Sequence, residues 1–382
     1  MSETKPKSPL LKFAYFMSNP EIFFYTAIWL IVLLVVGTID QKYNGLYLAQ
    51  QKYFSSWFVW GIFPGGRLAM TIVFFNLAAK LILRSPIRFN RIGTLITHGG
   101  MLLLLLGGFF TAYFSNEGSM PIPEGQISSY YQDYHTLEFA VTDKSPEDHD
   151  AVVAFSNEYI KEGAVISDPD FPFTITVETF HRNVDIVRRE PEVTDGVFGF
   201  AQRFQFVPKA LENEFAQNMA GMVLKIEGLD DGADGTYMVF QFMQVPQTIR
   251  AGGKDYVIDL RNKRYQLPFA IELTEFTKKV YPGTTKASHY SSLVNVIEGG
   301  NKREVLISMN EPLRNLDFTF YQASFIEGVA EDTTVLAVVQ NAGRNFPYIS
   351  SIIMAIGLFV HLLIQVPKML KRSKKTKEVA AS

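Results

Sequence analysis

Two histidines, His98 and His361, lie inside strongly apolar segments of the sequence. An ionisable side chain in such a segment indicates a functional site, because a polar group is costly to hold within a bilayer. Two neutral imidazoles are suitable axial ligands for a haem iron, and a flat apolar macrocycle fits between helices. His98 and His361 are therefore candidate haem ligands. The alternative is that each imidazole only makes a hydrogen bond between helices.

The spacing of basic residues predicts that these histidines lie at one depth. His98 is seven residues past Arg91, and His361 is seven residues before Lys368. At about 1.5 Å of helix rise per residue, each lies roughly 10 Å from its basic neighbour. On antiparallel helices the two imidazoles would then be level. The nearby glycines that would let a macrocycle or a second helix approach are Gly99, Gly100, Gly107, Gly108 and Gly357.

Four apolar runs predict membrane-spanning helices, since a helix of about 20 residues crosses a bilayer. The third is the clearest, with 23 residues from Ile92 to Phe114 that carry no formal charge. The predicted segments are an N-terminus (1–21), a first span (22–39), a loop with an interfacial aromatic segment (40–66), a second span (67–84), a short loop (85–91), a third span (92–114), a large domain (115–345), a fourth span (346–366) and a basic tail (367–382).

The distribution of basic residues predicts the orientation. With four spans, the N-terminus, the 85–91 loop and the C-terminal tail share one side of the membrane. All three are basic, and basic segments favour the cytoplasm. The residues concerned are Lys5, Lys7, Lys12, Arg84, Arg88, Arg91, Lys368, Lys371, Arg372, Lys374, Lys375 and Lys377. The large domain is then extracytoplasmic.

The large domain is predicted to be all-β-rich, a sandwich or an open barrel. Its segments of β-branched and aromatic residues are separated by turn pairs such as Asp231-Gly232, Gly252-Gly253 and Gly299-Gly300. The predicted strands are 136–142, 173–179, 221–227, 236–243, 269–274, 304–309, 318–325 and 334–339. Residues 211–222 are a candidate short helix.

Several classes of function are excluded or unsupported by the residues. The chain has no cysteine, which excludes disulfides, thiolate catalysis, Cys-ligated metal and a self-attached c-type haem. A formal net charge of -2 gives no indication of nucleic-acid binding. No enzyme motif is present, so no catalytic residue is assigned. The histidines of the large domain, His135, His149, His181 and His289, have no ligand spacing and are interpreted as isolated surface residues.

Five short blocks resemble the ResB family. Gly37-Thr38-Ile39-Asp40-Gln41 resembles its Gly-Thr-x-x-x-Gln signature, and Arg91-Ile92-Gly93 with His98-Gly99-Gly100 resembles its third span. The blocks before its last helix are resembled by Asn310-Glu311-Pro312-Leu313, Phe320-Tyr321-Gln322-Ala323-Ser324-Phe325 and Val338-Val339-Gln340-Asn341-Ala342-Gly343-Arg344. Residues 140–300 match no block.

The resemblance implies a function. ResB proteins act in the System II route of cytochrome c biogenesis, in which a CcsA-like membrane protein and ResB deliver haem to Cys-x-x-Cys-His apocytochrome c. The chain would thus be a multi-pass protein of the bacterial inner membrane that handles haem b. The family ties the third-span histidine, here His98, to a haem site, and His361 is the second candidate.

The same resemblance leaves other roles open. The chain has only Trp29, Trp57 and Trp60, and nothing like the Trp-rich segment of CcsA, so the haem attachment chemistry is expected on the partner chain. The alternatives are a structural subunit that binds no haem and a membrane b-type cytochrome that passes electrons. The second alternative predicts histidine pairs at two depths, whereas this sequence offers one.

Overall fold

The computed structural model describes residues 8–146, 149–328 and 331–381, with side chains as far as residue 370. Lys5, Lys7 and the basic side chains of the predicted tail beyond Lys368 therefore lie outside the described residues. The described residues divide into two compact units. We call Met1–Ser115 together with Asn341–Ser382 the helical unit, and Asn116–Gln340 the β unit.

Helices make up most of the helical unit. They are α1 (Pro9–Met17), α2 (Pro20–Ala49), α3 (Gly66–Arg84), α4 (Ile92–Phe114) and α5 (Phe346–Ala381), with a hairpin of β1 (Phe58–Val59) and β2 (Phe63–Pro64) between α2 and α3. Among the described residues, four segments are long and apolar enough to cross a membrane: Pro20–Phe54, Gly66–Arg84, Phe89–Phe114 and Phe346–Leu370. The prediction of four membrane helices is confirmed at this level.

A short break separates α1 from α2. Pro20 begins α2, where its missing N–H is tolerated, and the Asn19 side chain accepts a hydrogen bond from the Glu21 N–H at 3.3 Å. The buried Asn76 side chain of α3 donates to the carbonyl oxygens of Met17 at 2.5 Å and Asn19 at 2.8 Å. Asn76 therefore supplies hydrogen-bond donors to the carbonyl groups on both sides of the break.

The aromatic segment after α2 folds back against that helix. Gly45 has φ +77°, which bends the end of α2, and one turn of π-helix follows at Gln50–Phe54. The hairpin then returns to Trp29, whose Nε1 donates to the Pro64 carbonyl at 2.7 Å and whose ring stacks on Phe63 at 5.5 Å between centroids. The segment predicted as an interfacial helix or belt is thus a turn and a hairpin packed on α2.

The β unit is built from antiparallel strands. They are β3 (Ser115–Pro123), β4 (Ile127–Asp143), β5 (Ala151–Phe155), β6 (Val165–Ile166), β7 (Thr174–His181), β8 (Val184–Arg188), β9 (Phe204–Pro208), β10 (Gly221–Glu227), β11 (Gly235–Phe240), β12 (Gln247–Ala251), β13 (Lys254–Val280), β14 (Ala287–Glu298), β15 (Asn301–Ser308), β16 (Leu313–Asn315), β17 (Phe318–Ile326) and β18 (Thr333–Asn341).

The strands form separate sheets and no closed barrel within the described residues. The largest sheet has the order β15-β14-β13-β4-β3-β18-β17-β16, with β5 added beside β4 and β12 beside β13. A smaller sheet has the order β11-β10-β7-β6, and β8 pairs with β9. The predicted class, membrane helices with a β-rich domain, is confirmed.

Alternating burial explains these sheets. In β10, Met222, Leu224 and Ile226 are buried, whereas Lys225 and Glu227 are exposed, which is the period of two that a half-buried strand requires. The predicted glycine turns join β10 to β11, β12 to β13 and β14 to β15.

Two buried apolar clusters share the two longest strands. One includes Phe139, Ile175, Leu224 and Ile258, and the other includes Met120, Tyr131, Ile271 and Phe320. Strands β4 and β13 contribute residues to both clusters. Glu138 and Arg261 pair on these strands at 2.8 Å with little exposure, so a buried ion pair joins β4 to β13.

Candidate functional site

The two candidate histidines lie on neighbouring antiparallel helices. Glycines of α4 contact α5 so closely that a Cβ atom at each would overlap the other helix. The contacts pair Gly93 with His361, Gly100 with Met354, and Gly107 with Phe346. The α4 numbers rise as the α5 numbers fall, so the helices are antiparallel with a fixed register. Small residues at such an interface allow close backbone packing.

His361 is held by a threonine of α4. The Thr94 hydroxyl and the His361 Nδ1 share a hydrogen bond of 3.1 Å. His361 is half-buried, and its backbone lies against Gly93. Because Nδ1 is engaged, Nε2 is the ring nitrogen left to bind another group.

His98 is held by the same residue. Its Nδ1 lies 2.7 Å from the Thr94 carbonyl oxygen, which can only accept, so Nδ1 carries the proton and donates. The neutral ring then has its lone pair on Nε2, the form that binds a metal. Thr94 thus contacts both histidines, one through its hydroxyl and the other through its carbonyl. A ligating histidine is commonly oriented by a second hydrogen bond of this kind.

The prediction of equal depth is wrong. His361 is level with Gly93, so the Cα of His98 lies five residues, or about 7.5 Å, further along α4. The basic residues used as depth markers are themselves not level. Lys368 extends past the start of α4, where its Nζ donates to the Asn90 side chain at 2.7 Å.

Side-chain direction reduces the offset between the two rings. A helical side chain leans toward the N-terminus of its own helix. On antiparallel helices the His98 and His361 side chains therefore lean toward one another. Their common contact with Thr94 is the result. The structure thus places both predicted histidines in contact with one residue, Thr94. Thr94 was not predicted from the sequence, although a residue four positions before His98 lies on the same face of the helix.

Three of the glycines near His98 admit the neighbouring helix, which is one of the two roles predicted for them. Gly100 and Gly107 are occupied by α5, and a Cβ on Gly357 would lie 2.5 Å from the Thr97 nitrogen. Around Gly99 and Gly108 nothing lies within 4 Å of an added Cβ. Helix packing therefore accounts for Gly100, Gly107 and Gly357, and open surface adjoins Gly99 and Gly108.

The donor set limits what the site could hold. Within the described part of the chain, no group of three or more His, Asp or Glu side chains is placed to bind a bare metal ion. Two imidazoles alone do not complete the coordination of a free transition metal, whereas a haem supplies four in-plane nitrogens and needs only axial ligands. The residues present therefore fit haem iron in donor type.

The other histidines are dispersed over the β unit. His135 is half-buried, with its ring 5.0 Å from Phe215 in an edge-on contact, and burial lowers its pKa. It is therefore not the surface residue that was predicted. His181 ends β7, and His289 lies in β14. His149 is exposed next to residues outside the described ranges.

The blocks that resemble ResB stabilise turns and strand contacts. Gln322 is buried and bonds Ser292 at 2.6 Å and Thr334 at 2.8 Å, which links β14, β17 and β18. Asn341 accepts hydrogen bonds from the Gly343 N–H at 2.7 Å and from the Thr111 hydroxyl at 3.0 Å. These block residues have structural contacts that account for their presence.

The comparisons with known proteins agree with the motif blocks. Residues 232–333 match the model of the ResB-like family. Protein NrfI of Wolinella succinogenes is 26% identical to this chain over 275 residues, which is 70% of the chain. The resemblance to the ResB family is confirmed. The aligned region is 27% of NrfI, so this chain spans only that share of its relative.

The ResB-like match lies in the β unit and includes two of the blocks, residues 310–313 and 320–325. His98 and His361 lie outside the matched residues. Their role as haem ligands stays a prediction that rests on the geometry of the helical unit.

Proposed function

We propose that this chain is a haem-handling subunit of a System II cytochrome c synthase, in which His98 and His361 are ligands of haem b. The observation that carries the proposal is the convergence of both half-buried imidazoles on Thr94 within the apolar α4–α5 pair. The ResB-like match supplies independent support for the pathway.

The residues of this chain would hold haem and orient it. Haem iron, when bound, would take the Nε2 atoms of His98 and His361, since each Nδ1 is engaged by Thr94. The Thr94 carbonyl fixes the His98 tautomer, and the Thr94 hydroxyl restrains the His361 ring. The tight glycine contacts fix the register of α4 against α5 and so the positions of both histidines.

The proposed setting is the bacterial inner membrane, with both termini cytoplasmic and the β unit extracytoplasmic. The basic 84–91 segment and Lys368 support this orientation. A CcsA-like membrane protein is the proposed partner, and apocytochrome c is the acceptor. In this proposal the CcsA-like partner, rather than this chain, attaches haem to the cysteine thiols of the apocytochrome.

The proposal is tested by cytochrome c maturation in cells that lack their own pathway. The chain is expressed with a CcsA-like partner and a reporter apocytochrome, and covalently bound haem in the reporter is measured. His98→Ala and His361→Ala should each lower reporter haem by about tenfold or more. His289→Ala, on β14, is the matched control and should have no effect.

Unchanged reporter haem in both variants would remove the histidines from the pathway and favour the structural-subunit alternative. Expression level and membrane insertion are measured in the same samples, so that loss of the protein is not read as loss of haem transfer.

A further inference from the structure

An open groove lies beside the start of α4, between the turn at Phe89–Arg91 and α5. Its volume is about 510 Å³. The lining side chains include Phe89, Asn90, Val360, Ile364, Pro367 and Lys368. Most of these are apolar, and the charged group among them is the Lys368 ammonium. The groove thus combines an apolar wall with one cation.

The Lys368 ammonium is oriented but not neutralised. Its Nζ donates to the Asn90 side-chain oxygen at 2.7 Å, which uses one of its three donor hydrogens. Among the described residues, no carboxylate lies within ion-pair distance of Lys368. The residue is half-buried against the groove. A partly desolvated cation with free donors attracts an anion.

The groove is aligned with the histidine pair. Lys368 lies seven residues after His361, which places both on the same face of α5 about 10.5 Å apart. Their partners follow the same order, since Thr94 of α4 contacts His361 and Asn90, in the turn before α4, contacts Lys368. A ligand anchored at His361 and extended along this face reaches Lys368.

We propose that the groove receives the carboxylate edge of haem, with Lys368 as the counter-ion of a propionate and Asn90 as the residue that positions the ammonium. The proposal rests on the function proposed above. Haem is a flat apolar molecule whose carboxylates lie on one edge, away from the iron. Its apolar face and charged edge therefore match an apolar wall that carries an ammonium, with His361 about two helical turns before that ammonium on α5.

The test measures binding by the purified full chain in detergent. Ferric haem and haem dimethyl ester, whose carboxylates are blocked, are titrated into wild type, Lys368→Gln and Lys368→Arg. Dissociation constants come from the absorption change. Lys368→Gln should weaken haem binding about tenfold, as expected for one charge-assisted hydrogen bond, and should leave binding of the ester unchanged. Lys368→Arg should retain most of the wild-type affinity.

Lys80→Gln is the matched control, because Lys80 is another half-buried lysine near the end of an apolar helix. It should bind haem as the wild type does. Tryptophan fluorescence verifies folding, since Trp29, Trp57 and Trp60 all lie in the helical unit.

The outcomes separate the two proposals. If the wild type binds haem, His361→Ala loses it and Lys368→Gln has no effect, the groove assignment is wrong and the proposed function stands. Equal wild-type affinity for haem and its ester also overturns the groove assignment. Competition by an anionic phospholipid with an unchanged His361→Ala response would show that Lys368 binds a lipid phosphate instead. If the wild type binds no haem, both proposals fail.

Discussion

The contact of Gly93 with the backbone of α5 gives the sharpest test of the helix pair. A Cβ atom on Gly93 would lie 2.7 Å from both the His361 Cα and the Gly357 carbonyl oxygen. Ordinary contact begins near 3.4 Å, and these neighbours are backbone atoms that cannot rotate away. The His361 nitrogen would lie nearer still, so Gly93→Ala must move the helices apart, or distort them locally, by at least about 0.7 Å.

That displacement has two energetic consequences. A gap of this size removes roughly a quarter to a half of the dispersion energy of each contact at the seam. It also stretches the 3.1 Å bond between Thr94 and His361 beyond hydrogen-bonding distance, and such interhelical bonds are worth about 0.6 kcal/mol in membranes. Together these losses are about 1–3 kcal/mol.

Gly99→Ala is the matched control, because nothing lies within 4 Å of a Cβ added there. Both variants gain the same helix propensity, up to about 1 kcal/mol, so their difference isolates the steric cost. Because the chain has no cysteine of its own, a cysteine can be introduced at each of the exposed positions Met101 and Ile356 and labelled with a dye. Unfolding in SDS is followed by energy transfer between the dyes. Equal stability of the Gly93 and Gly99 variants would refute the packing described for α4 and α5.

Three further predictions concern stability. Arg261→Met should lower the free energy of unfolding of the β unit by about 3–5 kcal/mol, because it leaves Glu138 buried without its partner. The double variant Arg261→Met with Glu138→Leu should lose much less free energy of unfolding, as measured in urea. Asn76→Leu should cost about 1–3 kcal/mol in SDS unfolding, since two carbonyls lose their donor. Burial lowers the pKa of His135 in the folded chain, so below about pH 6.5 the unfolded chain binds a proton that the folded chain does not. The free energy of unfolding should therefore decrease as the pH falls through this range. His135→Phe should make the urea unfolding midpoint less dependent on pH.

Local patterns predicted much of the fold. The apolar runs located the membrane helices, because length and composition decide which segments can span a bilayer. The strand predicted at 221–227 coincides with β10, and three glycine-containing pairs are turns between strands. Strand β14, with polar residues such as Ser291, Ser292 and Asn295 among its apolar ones, was missed.

Tertiary contacts determine the structure of the segments that were wrongly predicted from the sequence. The candidate helix at 211–222 contains only a short turn, Phe215–Gln217, before β10 begins. The Asn218 side chain accepts from the Glu212 N–H at 2.9 Å, and Asn183 accepts from the Met219 N–H at 3.2 Å. These side-chain bonds replace the helical ones, and sequence periodicity does not reveal them.

The candidate site was predictable in residue type but not in geometry. His98 and His361 were identified because ionisable residues are rare in apolar segments. The relative depth of the two histidines depends on the register of α4 against α5. The glycine contacts set that register, and the positions of the basic residues do not reveal it. Thr94 and the Lys368–Asn90 contact became evident only with that register.

The proposed function depends on haem binding by His98 and His361. That binding is tested by the reduced and oxidised absorption spectra of the chain, purified with and without its partner, for wild type, His98→Ala and His361→Ala. We predict a b-type spectrum with two nitrogen ligands for the wild type and loss or conversion of that spectrum in each variant. Haem content and spectrum unchanged in both variants would contradict the account.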